Sequence, residues 1–350
     1  MYTPTSIVLC ILCLLPFHLI GAGHILLTPH SPAVIAKDPT SFERLSPIQQ
    51  KTWAAIAQRV KQKTGRSILL SALPQEQLAH ASHIICWNIP RRTPHWQEKL
   101  RAARKKGCHT ILLLSEPPSV IPEQYENNVL QLFDAVLTWN DALVDNKKFF
   151  KCNLFFASPP PENTLPFAKR KLLTMVIANK RSSHPYELYS KRRAVISFFE
   201  RKYTEDFDLY GFRWDPFLYK TYKGTIHNKV ETLKNYRFCF AYENVAKIPG
   251  YITEKIFDCF AAGCVPIYLG APNIKRYIPQ SCYILREDFA STEELYHFVK
   301  NMPEEKYNEY LQSIKKFTTS KGAEIFQPPQ FIQAVVTQLT ACSPDRKGAI

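Results

Sequence analysis

From residue 24 onward, short continuous apolar runs alternate with longer stretches of helical period. Runs at 24–27, 67–70, 84–87, 110–114 and 134–139 predict strands. Between them, 47–63 (Ile48, Trp53, Ile56, Ala57, Val60), 75–81 and 96–105 predict helices. After a Pro-rich stretch without period at 157–166, the alternation restarts. Strands are expected at 172–178, 207–210, 238–242 and 265–269. Helices are expected at 189–203, 226–236 and 253–262, with a mostly helical tail over 291–339. Such alternation argues parallel sheets with crossover helices, hence an α/β fold. The pattern divides the chain into an apolar segment (1–23), a βα domain (24–156), a linker (157–168) and a second βα domain with its helical tail (169–340). In open α/β sheets ligands gather at the carboxyl ends of the strands, so the site is expected between the two domains.

The segment 7–22 is apolar apart from His18, is broken by Pro16, and falls short of the ~20 residues of a comfortable span. It also resembles a signal-peptide apolar region before Gly21-x-Gly23. An uncleaved anchor, a cleaved signal and a buried N-terminal segment are its three readings, the first implying membrane association. The formal charge of +15, from 45 Lys+Arg against 30 Asp+Glu, suits an anionic partner: nucleic acid, a membrane surface or a phosphorylated small molecule. Among ten cysteines, the only C-x-x-C (Cys10, Cys13) lies inside the apolar segment without a second ligand pair. Cys86, Cys239, Cys264 and Cys282 sit in or beside strand-like runs and read as small buried hydrophobes. Cysteines in apolar runs, the short chain and the absence of an Asn-x-Ser/Thr sequon lean towards a bacterial rather than a lumenal protein.

The chemistry concentrates in 238–267. An apolar strand ends in Glu243-Asn244, a loop with Pro249-Gly250 follows, and a helix starts near Thr253 with Glu254 in its first turn. Free N–H groups at the helix start, with Lys255 beside them, make a place for a diphosphate, and Glu254 can accept hydrogen bonds from a sugar hydroxyl. The competing reading is a capped amphipathic helix with solvated Glu and Lys.

The residues Tyr242-Glu243-Asn244, Tyr251-Ile252-Thr253-Glu254-Lys255, and Gly263-Cys264-Val265-Pro266 running to Gly270 resemble the signature block of the α-1,3-fucosyltransferase family, glycosyltransferase family 10. Asn179, Tyr189-Ser190-Lys191-Arg192 and Asp208-Leu209-Tyr210-Gly211 extend the resemblance, as do Lys223-Gly224 and Lys229, so that it covers about 172–289. It implies a GT-B architecture of two Rossmann-like domains. It implies inverting transfer of L-fucose from GDP-fucose to a glycan hydroxyl, α-1,3 to GlcNAc or Glc, with no strictly required metal, although a divalent ion can stimulate. The donor side would comprise Arg192 (rather than Arg193), Glu243, Asn244, Tyr251, Thr253, Glu254 and Lys255. The acceptor, an oligosaccharide or glycoconjugate, would bind the first domain.

Inverting transfer needs a base for the acceptor proton and cations for the leaving diphosphate. Glu116 fits the first role: it follows the strand at 110–114, and Pro117-Pro118 stop the chain there. Its plain alternative is a solvated loop carboxylate; Glu243 is the competitor, but the resemblance places it on the donor side, in a structural role or in contact with the ribose. The only Asp-x-Asp, Asp206-Phe207-Asp208, enters a strand at the end facing away from the cleft, so no metal site is expected there. His80, His83, His95 and His109 read as surface or loop residues, and Trp87, Trp139 and Trp214 as core, with stacking on acceptor sugars as the alternative. The basic stretches 99–106 and 191–202 read as solvated faces or as attraction to a phospholipid surface or anionic acceptor. The alternative function is a catalytically inactive GDP-sugar or glycan binder of the same fold; no nucleic-acid motif supports a third. The expected place is a Golgi membrane in a eukaryote, or the cytoplasmic face of the inner membrane in a bacterium.

Overall fold

The computed structural model describes residues 24–29, 47–156 and 165–341. The apolar segment 7–22, with Cys10 and Cys13, and residues 157–164 of the expected linker lie outside the described residues.

The first half runs β1 (His24–Pro29), α1 (Pro47–Thr64), β2 (Ile68–Leu70), α2 (Gln75–Leu78), β3 (Ala81–Trp87), α3 (Trp96–Lys105), β4 (His109–Leu113), α4 (Asn127–Leu130), β5 (Ala135–Thr138) and β6 (Phe149–Lys151). The second half runs β7 (Lys171–Val176), α5 (Tyr189–Lys202), β8 (Phe207–Tyr210), α6 (Lys229–Leu233), β9 (Tyr236–Tyr242), α7 (Glu254–Ala262), β10 (Val265–Leu269) and β11 (Ile284–Leu285). Helices α8 (Thr292–Lys300), α9 (Glu304–Thr318) and α10 (Pro328–Thr340) complete it. The strands form two sheets, ordered β2-β1-β3-β4-β5-β6 and β11-β10-β9-β7-β8, with parallel pairing throughout. Both sheets carry helices, so strands such as β3 are buried on both faces (Ile84, Ile85, Cys86) and read as continuous apolar runs. The described cysteines are free and buried, as expected of small hydrophobes. Strands β6 and β11 are not among the strands the sequence predicts.

Three expectations need correcting. The helix expected over 226–236 forms only as α6, and Ile226 and His227 instead line the cleft. His83, expected at the surface, is buried on β3 with its ring 5.6 Å from that of His109 on β4. Burial, then His109 and Arg66, lower its pKa to about 4. Helix α10, expected with the second domain, packs into the first: Phe331, Ile332, Val335, Val336 and Leu339 join Ile25, Leu27, Trp53, Ile56 and Val60 in one core. An amphipathic stripe shows that a helix has a core to cover, but not which core. Leu339→Ala is therefore expected to destabilise the protein by roughly 2–5 kcal/mol. Unchanged stability in denaturant unfolding would contradict this seat for the helix.

The halves also meet at a seam below the cleft. Asp141 donates its N–H to the Pro249 carbonyl (3.1 Å), and its carboxylate accepts from Asn273 Nδ2 (2.7 Å), Tyr277 OH (2.6 Å) and Lys151. Burial pushes the Asp141 pKa up, but these donors outweigh it and hold it down. Gly250 is pressed into the same seam: with φ at +82°, a Cβ there would lie 2.4 Å from the Trp139 carbonyl oxygen. Gly250→Ala must shift one half against the other, and is expected to cost at least about 1–3 kcal/mol in thermal unfolding. An unperturbed melting curve would show that the seam has slack.

Candidate active site

The carboxyl ends of β1, β3, β4, β7, β8 and β9 converge on one cleft of about 790 Å³, a volume suited to a nucleotide sugar. Its walls include Glu116 from the first half and Arg192, Asn244, Tyr251, Thr253, Glu254 and Lys255 from the second. The sequence places these residues up to 139 positions apart; two parallel sheets facing each other bring them together.

Glu116 follows β4 and is fixed by its backbone. The N–H groups of Ser115 and Glu116 both donate to Asn88 Oδ1 (2.9 and 3.0 Å), while Gln124 Nε2 and Tyr125 OH donate to the Glu116 carbonyl (both 2.7 Å). Asn88 adopts a left-handed φ of +55° at the end of β3, and Trp87 and Asn88 both donate to Ser115 Oγ. Among the described residues, the carboxylate itself makes no hydrogen bond or ion pair. Burial raises its pKa; Lys255 and Lys180 pull it back, and Glu254 adds to the rise. A held, unpaired carboxylate with a raised pKa is what a proton acceptor near neutral pH requires.

Opposite it, Arg192 stands in the first turn of α5, buried, its guanidinium carbon 5.0 Å over the Tyr189 ring. Its Nη2 donates to the Tyr242 carbonyl (2.7 Å) and to Asn244 Oδ1 (3.0 Å), whereas its buried Nε has no partner. Burial lowers its pKa, and Tyr189 and Glu243 counter that. Asn244 in turn donates to Tyr251 OH (3.3 Å), and Tyr251 packs on Trp139 with ring centroids 4.6 Å apart.

Glu243 is set behind this wall. It is fully buried and does not line the cleft: Thr253 donates its N–H to one oxygen (2.8 Å) and its hydroxyl to the other (2.6 Å), and Lys255 Nζ lies 3.3 Å away. Of the two roles the sequence leaves Glu243, structural support or ribose contact, its burial and its hold on Thr253 and Lys255 favour the structural one. Thr253 occupies the N-cap of α7, but its hydroxyl serves Glu243, so no side chain caps the helix. The helix therefore starts without a side-chain cap from its N-cap residue. Lys255 Nζ reaches Thr253 Oγ1 (2.9 Å) and Glu254 (3.2 Å). Burial pushes Glu254 up, but Lys255 and Lys229 outweigh it and hold its pKa at about 2, with half its side chain open to solvent. Lys229, ion-paired to Asp258 at 2.9 Å, completes the cationic rim.

Residues 167–342, half of the chain, match the profile of glycosyltransferase family 10 (fucosyltransferase), C-term. The chain belongs to glycosyltransferase family 10. An alpha-(1,4)-fucosyltransferase of Arabidopsis thaliana is 38% identical over 80 residues, which cover 22% of this chain and 20% of that protein. A 4-galactosyl-N-acetylglucosaminide 3-alpha-L-fucosyltransferase 9 of Mus musculus is 35% identical over 97 residues, 27% of each chain. These matches span about a fifth to a quarter of the length of those relatives. Crystal structures of alpha1,3-fucosyltransferase, one of them with GDP-fucose, superpose with TM-scores of 0.58 and 0.53 at 15% and 14% identity. They cover 93% and 94% of this chain and 94% and 92% of theirs. They share its fold, GT-B.

Within that family fold, the two candidate registers separate. Arg192 lines the cleft, while Arg193 donates to the Lys180 carbonyl (2.7 Å). The Asp-x-Asp is structural. Asp206 accepts from Tyr296 and Lys300, and Asp208 from Tyr236 and Lys171. Among the described residues, no group of three or more His, Cys, Asp or Glu side chains is placed to hold a metal ion. Trp139 and Trp214 are core residues as expected, but Trp87 lines the cleft. With Phe155, Phe156 and Phe331 it makes an aromatic wall on the first half. The sequence does not point to Lys180 and Asn88, because no spacing marks residues that meet Glu116 only across strand ends; Ser115, its chain neighbour, is linked to them by accepting from Trp87 and Asn88.

Proposed function

We propose that this protein transfers L-fucose from GDP-fucose to a glycan hydroxyl with inversion at the sugar carbon. The observation that carries the reading is the pairing, across one cleft, of an unpaired Glu116 carboxylate with a cationic rim around an uncapped helix start. Family membership and a relative's GDP-fucose complex support the donor. In this reading the diphosphate meets Arg192, Lys255 and the α7 N–H groups, and Glu254 accepts from a sugar hydroxyl. The acceptor oxygen forms its bond to fucose C1 as the bond from C1 to the diphosphate oxygen breaks. Glu116 takes the acceptor proton, and the electron pair of the broken bond leaves with GDP, whose charge the rim stabilises. Acceptor sugars stack their apolar faces on the Trp87 wall, and the linkage proposed is α-1,3 to GlcNAc or Glc. Membrane attachment through 7–22 belongs to the proposal too: among the described residues no helix is long and apolar enough to cross a membrane, and 7–22 lies outside them.

The test is GDP release by the full chain with GDP-fucose and a panel of N-acetyllactosamine-type acceptors. Acceptor-dependent release is expected. Absence of both GDP release and GDP binding with every acceptor would sink the proposal.

A further inference from the structure

The loop from Gly211 to Thr221 presents large apolar side chains to solvent. Phe217 is 96% exposed, Leu218 72% and Phe212 63%. Their exposure is built into the fold. Trp214 is buried and donates to the Ile177 carbonyl (2.9 Å), with Tyr219 packed on it at 5.0 Å. Glu200 of α5 accepts from the N–H groups of Lys220 and Thr221 (both 2.9 Å), and the N–H of Asn179 donates to the Phe212 carbonyl. Asp215 accepts from the Phe217 N–H (2.9 Å), which closes the turn. The result is a braced convex tip with two adjacent apolar residues at its end.

Cations surround the tip. Arg213 and Lys220 belong to the loop, and Arg181 to the strand-end segment that Asn179 ties to it; all three are exposed. The carboxylates beside them, Asp215 and Glu200, are engaged by the loop's own N–H groups. A protein groove would bury such a tip only if shaped for it. A bilayer takes a convex apolar tip of any outline, and its anionic headgroups match the cationic surround.

We propose that this loop is a membrane-docking element: Phe217 and Leu218 enter the interfacial region of an anionic bilayer, while Arg213, Lys220 and Arg181 meet its headgroups. Phe212 of the same loop lines the cleft, so docking holds the cleft mouth near the lipid surface. The inference stands on the loop and the cations beside it and does not depend on the transferase reading.

The test uses the full chain with vesicles of phosphatidylcholine containing about 30% phosphatidylglycerol, against phosphatidylcholine alone. Phe217→Trp adds one tryptophan to the native five. In vesicle-bound protein its fluorescence is expected to be quenched by brominated lipid beyond the wild-type level. Replacing Phe217 and Leu218 together by Ser is expected to weaken binding to the anionic vesicles at least about tenfold. Each cation removed from the surround is expected to weaken it about fivefold. Failure of the full chain to bind the vesicles would overturn the proposal. So would binding in which the added Trp at 217 stays unquenched, the outcome expected if the segment 7–22 alone attaches the protein or if the tip meets another protein. Should the double variant misfold, the quenching measurement still decides.

Discussion

Glu116→Gln is expected to lower kcat by about 10²–10⁴ while GDP affinity stays near the wild-type value. The amide keeps the size of the side chain and the backbone brace from Asn88, Gln124 and Tyr125, and removes only the capacity to take a proton. The pH dependence has a definite sign. The carboxyl must be ionised to act, and burial raises its pKa, so activity falls on acidification at a higher pH than for an ordinary carboxyl. Stability responds oppositely. A carboxyl whose pKa rises on folding binds its proton more tightly in the folded state, so its contribution to stability is lost as pH rises through that pKa. At neutral pH Glu116→Gln should therefore leave the melting temperature unchanged or raise it. An inactive variant that is also destabilised would point to a structural role instead.

Arg192→Ala is expected to lower kcat by about 10²–10³ and, unlike the Glu116 change, to weaken GDP binding as well. The guanidinium has an unpartnered Nε in the cleft wall while its Nη2 is committed to Tyr242 and Asn244. One side chain thus braces the end of β9 and offers donors to an anion. Removing it leaves a buried carbonyl without its donor, at about 1–3 kcal/mol of stability. Arg192→Lys keeps the charge but not the planar fork, and should restore only a small part of the lost activity. Isothermal titration with GDP and single-turnover kinetics separate the two losses. Full activity in the Lys variant would show that point charge suffices.

The second half's share of the cleft wall is legible because its residues are contiguous: one strand end, one loop and one helix start carry Asn244, Tyr251, Thr253, Glu254 and Lys255. The position of Glu116 at the cleft is legible from a strand stopped by two prolines, and both halves from the alternation of apolar runs with helical period. What stayed hidden depends on tertiary contact. The sequence around Glu243 marks it as a ligand group, yet the fold turns both oxygens onto Thr253. Helix α10 carries an apolar stripe that fits either core, and only chain reversal sends it to Trp53. The tight approach of Gly250 to the Trp139 carbonyl joins two halves, and no local pattern encodes it.

The most direct measurement of the account is the anomeric configuration of the fucosyl product, read by NMR after reaction of the full chain with GDP-fucose and a responsive acceptor. A single displacement assisted by Glu116 predicts a product whose configuration at C1 is opposite to that of the donor. A product that retains the donor's configuration would contradict the cleft mechanism at its centre.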